Sequence, residues 1–187
     1  MKYFKKLIGD NIYLSPRNIE DAEKYTEWLN DFQVTDYTGR SAGILTLEGE
    51  KKYLEQHMQD EASFAIVRLE DNKLIGTVGL ESINYIHRRA TLGIFIGDKD
   101  GRNKGYGTEA IRLILDYGFN YLNLNNINLA VMEFNERAIA CYKKCGFKEC
   151  GRRRKCYFLN GKYYDIIGMD ILSEEFKEEY IRNKNIK

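Results

Sequence analysis

Proline is nearly absent: Pro16 is the only one, and there are just two histidines, His57 and His87, and one tryptophan, Trp28. Turns must therefore be written in Gly, Asn and Asp, the other residues that punctuate a chain. No charge sign dominates, because 29 basic side chains against 28 acidic ones leave a formal net charge of +1. That balance removes the electrostatic case for a chain that coats nucleic acid. No apolar run approaches the roughly 18 residues of a membrane span. The basic start, Met1 to Gly9, lacks the apolar stretch and small-residue cleavage site of a secretion signal. Repeats, low-complexity tracts and Pro/Gly linkers are missing too. Cys141, Cys145, Cys150 and Cys156 crowd into one stretch with no C-x-x-C pair and no histidine nearby. Neither a zinc site nor a secreted disulfide framework is built that way, so ordinary reduced thiols are expected. With 43% hydrophobic and 30% charged residues, the chain fits one soluble, cytoplasmic domain with no metal, membrane or nucleic-acid partner.

Hydrophobic spacing supplies the elements. Ile12 to Leu14 is a short strand, and Asn18 caps a helix whose apolar face is Ala22, Tyr25, Trp28, Leu29 and Phe32. Residues 33–46 are loop-like, and a weaker helix spans Leu47 to Met58. The period then changes: Phe64 to Leu69, Leu74 to Ile83, and the alternating Ala90, Leu92, Ile94 and Ile96 form three strands. Their short connections make an antiparallel meander. Ile111, Ile114, Leu115, Gly118, Phe119 and Leu122 then share one helical face. Ile127, Leu129 and Val131 form a strand, Asn135 caps a helix that Gly146 ends, and two strands flank the hairpin signal Asn160-Gly161. The order is β-α-α-β-β-β-α-β-α-β-β, an α+β domain with a mostly antiparallel mixed sheet flanked by helices. It should occupy 1–172, with 173–187 a charged amphipathic C-terminal helix.

Chemistry concentrates between Thr91 and Ala110, where a strand enters a glycine-bearing loop and then the strong helix. Unpaired N–H groups and the positive dipole end of that helix make an anion site, and glycines let the backbone approach a phosphate. Arg102 and Lys104 would add charge at its rim. Several readings fit the residues alone. One is a tight turn with solvated basic residues. Another is a dinucleotide fold, since Gly105-x-Gly107-x-x-Ala110 matches G-x-G-x-x-A. That fold needs a parallel βαβ unit and an acidic residue about 20 positions on, and no carboxylate appears near Ile127 before Glu133. No G-K-[ST] follows, which excludes a P-loop. Downstream, Asn135 can be a plain N-cap and Tyr142 a core tyrosine beside Ile139 and Cys145.

A further reading comes from resemblance. Arg102, Gly105 and Gly107 meet the pattern [Q/R]-x-x-G-x-[G/A], and Asn135, Ala138, Tyr142, Lys144, Gly146 and Phe147 meet N-x-x-A-x-x-x-Y-x-K-x-G-F. In that order, on those elements, the sequence resembles the GNAT superfamily of acetyl-CoA-dependent N-acetyltransferases over nearly its whole length. The branch it looks most similar to holds the ribosomal-protein N-terminal acetyltransferases, and the segment Ile83 to Ala90 is also similar to spermidine acetyltransferases. The resemblance implies the acyl-CoA N-acyltransferase fold and acetyl-CoA as co-substrate. It implies that the backbone of Ile94, Phe95 and Ile96 pairs with the pantetheine arm. Arg102, Asn103, Lys104, Gly105, Tyr106, Gly107 and Thr108 would cradle the pyrophosphate. Asn135 and Ala138 would border the pantetheine, and Tyr142 would protonate the leaving thiolate. A glutamate common in that branch after Arg-Arg-Ala is Thr91 here, which leaves Glu81 as the carboxylate able to assist deprotonation through water. The acceptor would be a peptide N-terminus or a small amine, attacking directly in a ternary complex. A polyamine or aminoglycoside acceptor is the alternative, disfavoured because Gln33 to Leu45 holds one acid, Asp36, beside Arg40. A non-catalytic acyl-CoA sensor is the other, and a homodimer is compatible with the family.

Overall fold

The computed structural model describes residues 2–57 and 62–183. Its strands are β1 (Leu7–Ile8), β2 (Ile12–Pro16), β3 (Ser63–Arg68), β4 (Leu74–Asn84), β5 (Arg89–Ile96), β6 (Asn126–Met132), β7 (Lys148–Leu159) and β8 (Lys162–Leu172). The helices are α1 (Ala22–Leu29), α2 (Phe32–Thr35), α3 (Leu47–Gln56), α4 (Tyr106–Asn120) and α5 (Glu136–Lys144). All eight strands form one sheet in the order β1-β2-β3-β4-β5-β6-β8-β7. Every pairing is antiparallel except β5 with β6, which is parallel. The expected meander thus runs into one parallel βαβ unit, β5-α4-β6, and the sheet is mixed as anticipated. Asn160 and Gly161 both take positive φ, 49° and 77°, as a two-residue hairpin turn with matching strand twist requires.

Two apolar clusters hold the layers together. The larger joins α4 to the sheet, burying Ala110, Ile111, Leu113, Ile114 and Leu115 against Ile66, Val78, Leu80, Ile127 and Met169. Helix α4 lies very close to the strands at Gly118, where an added Cβ would stand 2.8 Å from Ile127 Cδ1 and 2.9 Å from Leu80 Cδ1. The smaller cluster packs Ala22, Tyr25, Trp28, Val34 and Leu54 with Tyr13, Ala65, Val67 and Leu74.

Four sequence expectations need correction. Asn18 caps a 3-10 turn, Ile19–Asp21, by accepting from the Glu20 N–H, and α1 starts only afterwards. The single helix expected through Phe32 is interrupted at Asn30-Asp31. Asp31 accepts from the Gln33 N–H and starts α2 anew inside the segment read as loop, leaving Phe32 65% exposed and off the buried face. The second helix ends at Gln56, and Met58 lies outside the described residues. The C-terminal helix is reduced to a 3-10 turn, Ser173–Glu175, with no helix from 176 to 183. That segment docks instead: Asp116 of α4, fully buried, accepts from the N–H groups of Tyr180 and Ile181 at 2.7 and 3.0 Å. A docked acceptor outweighs the weak helical preference of so short a charged stretch.

Candidate active site

The sheet splits at its centre. Strands β5 and β6 pair only through Arg89–Thr91 and Asn126–Asn128, and beyond that point they diverge. The last pair is fastened by side chains. Thr91 Oγ1 lies 3.2 Å from Asn128 Oδ1, and Asn128 Nδ2 donates to the Ala90 carbonyl at 3.0 Å. The opening continues into a cleft of about 430 Å³, bordered by Gln33, Val34, Tyr37 and Thr38 on one side and by Ile111, Ala138 and Tyr142 on the other. Val34 belongs to the smaller apolar cluster and Ile111 to the larger, with Ala138 and Tyr142 packed against it, so the cleft passes through the sheet.

At one end of the cleft lies the first turn of α4. Its N-cap is Gly105, with φ +84° and no side-chain cap. A left-handed conformation of that kind suits glycine and costs other residues about 1–2 kcal/mol. The N–H groups of Tyr106, Gly107 and Thr108 precede the first intrahelical donors and point out of the helix end. No Cβ crowds them at Gly107, where one would stand 3.9 Å from Ile96 Cγ1. This cradle fits a pyrophosphate: free donors, a positive dipole end and room for close approach. Arg102 does less than its charge suggested, because Nε and Nη2 turn back onto the carbonyls of Ile96 and Gly97, each at 3.3 Å. It lines the cleft while closing the strand-to-loop bend. Lys104 is exposed and outside the cleft wall.

The other predicted residues divide clearly. The cleft gathers Ile94, Phe95, Ile96, Arg102, Asn103, Gly105, Tyr106, Gly107, Thr108, Asn135, Ala138 and Tyr142. Asn135 is buried and caps α5, its Oδ1 accepting from the Ala138 N–H at 3.3 Å. The plain structural reading of Asn135 is therefore correct, and it holds at the cleft edge. Tyr142 rests edge-on against Phe147 at 5.8 Å. Burial, and then the neighbouring Cys141 and Cys145, push its phenol well above the ordinary tyrosine value, so it stays protonated at neutral pH. Glu81 is not part of the cleft wall. It is exposed, directly opposite Thr91 on the neighbouring strand, and its carboxylate leans over Gly93, where a Cβ would meet Oε1 at 3.2 Å. Side-chain alternation puts it on the sheet face of Thr91, Gly93 and Phe95.

The segment Gln33 to Leu45, weighed above for the acceptor, helps build an aromatic mouth whose members the sequence did not single out. Tyr37 and Phe134 meet at 5.9 Å, and Phe134 also contacts Tyr164 at 4.8 Å and Tyr157 at 6.0 Å. Asp36 accepts from the Ser41 hydroxyl at 2.7 Å, while Glu133 and Asp165 are both held by Arg152, at 3.0 and 3.2 Å. Arg102, Glu136 and Arg137 complete the rim. The adjacency of Phe134, Glu136 and Arg137 to the Asn135 motif was a usable signal. Tyr37 and Tyr157 had none, being brought together by the fold.

Comparison with known proteins agrees with this geometry. The acetyltransferase (GNAT) domain family matches residues 11–148. The spermidine N(1)-acetyltransferase of Escherichia coli (strain K12) is 36% identical over 170 residues, covering 91% of this chain and 90% of that protein. The uncharacterized N-acetyltransferase YoaA of Bacillus subtilis (strain 168) is 30% identical over 174 residues, covering 87% and 93%. Among solved structures, spermidine N-acetyltransferase from Vibrio cholerae in complex with CoA and spermine superposes with a TM-score of 0.81 at 30% identity, over 89% of this chain and 98% of that one. The chain belongs to the GNAT acetyltransferase family and is an acetyl-CoA-dependent N-acetyltransferase. The dinucleotide-fold reading of the glycine loop is thereby set aside. No helix among the described residues is long and apolar enough to cross a membrane.

Proposed function

We propose that the chain acetylates a primary amine by direct attack in a ternary complex, with acetyl-CoA and the acceptor entering the central cleft from opposite faces of the sheet. The observation that carries this reading is the passage of the cleft through the split between β5 and β6. Two reactants reach one point from two sides there, with no covalent relay on the protein. In this reading the cradle of Tyr106, Gly107 and Thr108 binds the pyrophosphate, and the unpaired edge of Ile94–Ile96 binds the pantetheine arm as an added strand would. The N–H groups along that edge steady the oxyanion. Tyr142 gives its proton to the departing thiolate, whose own pKa is near about 8.5. Glu81 accepts the amine proton through water.

The acceptor is an amine with one cationic centre, such as a peptide α-amine or a small monoamine. Around the mouth, Asp36 and Glu136 are matched by Arg102 and Arg137, and the next carboxylates, Glu133 and Asp165, are already paired with Arg152. A linear polyamine needs several unpaired carboxylates. An α-amine, with pKa near about 8, also demands less help than an amine near about 10.4, which suits an exposed Glu81 rather than a buried base. Polyamine acetylation is the second reading, favoured by the 36% identity to a spermidine N(1)-acetyltransferase across most of both chains.

The test is a kcat/KM comparison among spermidine, an N-terminally free peptide, a simple monoamine and an aminoglycoside, with acetyl-CoA held constant. A peptide or monoamine favoured at least tenfold supports the single-cation mouth, and spermidine favoured at least tenfold establishes the second reading. Self-association is part of the same proposal, since a Vibrio cholerae relative has a dodecameric structure. Light scattering on the purified chain decides it.

A further inference from the structure

One nucleophile in the cleft wall has no part in acetyl transfer. Cys141 precedes Tyr142 on α5, is half-buried and borders the cleft. Its Sγ stands 3.2 Å from Thr108 Oγ1, in the first turn of α4 and next to the phosphate cradle. One helical turn on, Cys145 is buried, with Sγ 3.7 Å from the Thr108 carbonyl oxygen. The neighbouring Cys145, and then Thr108, Lys144 and Arg112, hold the Cys141 thiol well below its ordinary value against its burial. Cys145 is raised by its neighbour Cys141 and by burial. A thiolate beside a helix N-terminus, a hydroxyl and two cations is the reactive kind.

The two thiols do not themselves make a disulfide within α5. Residues four apart on a helix have Cβ atoms about 5–6 Å apart, and a disulfide needs about 3.5–4.5 Å. Cys141 alone of the two borders the cleft, which in the proposed function admits a cofactor carrying a thiol.

We propose that Cys141 is a covalent modification site for small-molecule disulfides, and that the adduct closes the cleft to acetyl-CoA. Cys141 Sγ attacks one sulfur of RS–SR. The S–S bond breaks, Cys141–S–S–R forms, and RS⁻ leaves; Cys145 keeps its proton. The disulfide is the only oxidant consumed, and a second thiol reverses the exchange by the same attack. Because Cys141 touches Thr108, the attached group lies beside the N–H cradle and denies it to the pyrophosphate.

Trypsin separates all four cysteines, with Cys141 on Ala138–Lys143, Cys145 on 145–148, Cys150 on 149–152 and Cys156 on 156–162. The experiment is a timed treatment of the full chain with 5,5′-dithiobis(2-nitrobenzoate), capping of remaining thiols with N-ethylmaleimide, and peptide mapping. The Cys141 peptide should be modified at least tenfold faster than those of the exposed Cys150 and Cys156. Saturating acetyl-CoA should slow it at least tenfold and leave the other two unchanged. The thermal shift given by acetyl-CoA should vanish after treatment and return with dithiothreitol. In Cys141→Ser the shift should survive treatment. Slower modification of Cys141 than of Cys150 and Cys156 overturns the proposal, as does complete modification with the acetyl-CoA shift intact. The inference rests on acetyl-CoA occupying this cleft. Loss of the shift in untreated protein would sink that reading, whereas a normal shift with an inert Cys141 sinks only this one.

Discussion

In the proposed mechanism Tyr142 and Glu81 divide the proton traffic, and each role has a distinct signature. The phenol is raised by burial, so it holds its proton across the whole range in which an amine acceptor becomes neutral. The rate should therefore climb as the amine loses its proton and show no falling limb from Tyr142 below pH 10. Tyr142→Phe should lower kcat by about 10²–10⁴, the usual value of a positioned acid, with the acetyl-CoA thermal shift unchanged. If kcat survives within threefold for every amine, Tyr142 is the core tyrosine its packing also allows. Glu81→Gln tests the other side of the reaction. It stands outside the cleft wall and in the proposal acts through water, so a smaller loss, about tenfold, is expected, greatest for amines of high pKa. Steady-state rates for a series of amines of graded basicity measure it, and equal loss for all of them would assign Glu81 to acceptor binding instead.

At the scale of elements, the cofactor cradle proposed at the start of α4 rests on geometry that two glycines separate. Gly105 needs its left-handed φ of +84° but has open space around it, whereas Gly107 faces the cradle with a Cβ position 3.9 Å from Ile96. Gly105→Ala should destabilise the fold by about 1–2 kcal/mol through backbone strain. Gly107→Ala should leave the melting temperature unchanged and raise KM for acetyl-CoA at least tenfold, because its methyl sits where the pyrophosphate approaches. Thermal melts and cofactor titration of the two variants separate these effects. That loop was readable in the sequence because its signal is local: strand alternation, glycines at fixed offsets and a strongly amphipathic helix occur within 30 residues. The Asn160-Gly161 hairpin was readable for the same reason. The break at Asn30-Asp31 was not, because Phe32 has the right spacing to continue α1. What stops the helix is tertiary: Asn30 Oδ1 accepts from the Leu45 N–H and its Nδ2 donates to the Leu45 carbonyl. The same holds for the split in the sheet, which no single strand encodes. Its boundary is the Thr91–Asn128 pair, which meets across 37 positions of sequence.

Across the whole molecule, the C-terminal segment ties the two ends of the chain to the central helix. Asp116 is fully buried in α4 and accepts from Tyr180 N, Ile181 N and Asn120 Nδ2. Beyond it, the Arg182 N–H donates to the Ile8 carbonyl at 2.7 Å, its guanidinium pairs with Asp10, and Asn183 accepts from the Ile8 N–H. The exposed Arg182–Asp10 pair adds little, so the buried carboxylate and the 6% exposed Ile181 hold the segment. Asp116→Ala strips the acceptor from two backbone N–H groups near the core, a loss of about 3 kcal/mol in total. At roughly 2–4 °C per kcal/mol for a chain of this size, the melting temperature should fall by about 6–12 °C. Asp116 lies mid-helix and does not border the cleft. The cofactor's own contribution, about 2.7 kcal/mol at 100 times Kd, should therefore be preserved as the same increment above the lowered baseline. Paired melts of wild type and Asp116→Ala, each with and without acetyl-CoA, read both quantities at once. A lowered baseline with an equal increment makes the docked tail a stability element independent of the site. A lost increment would mean that the tail, through α4, also sets the position of the helix end that binds the pyrophosphate.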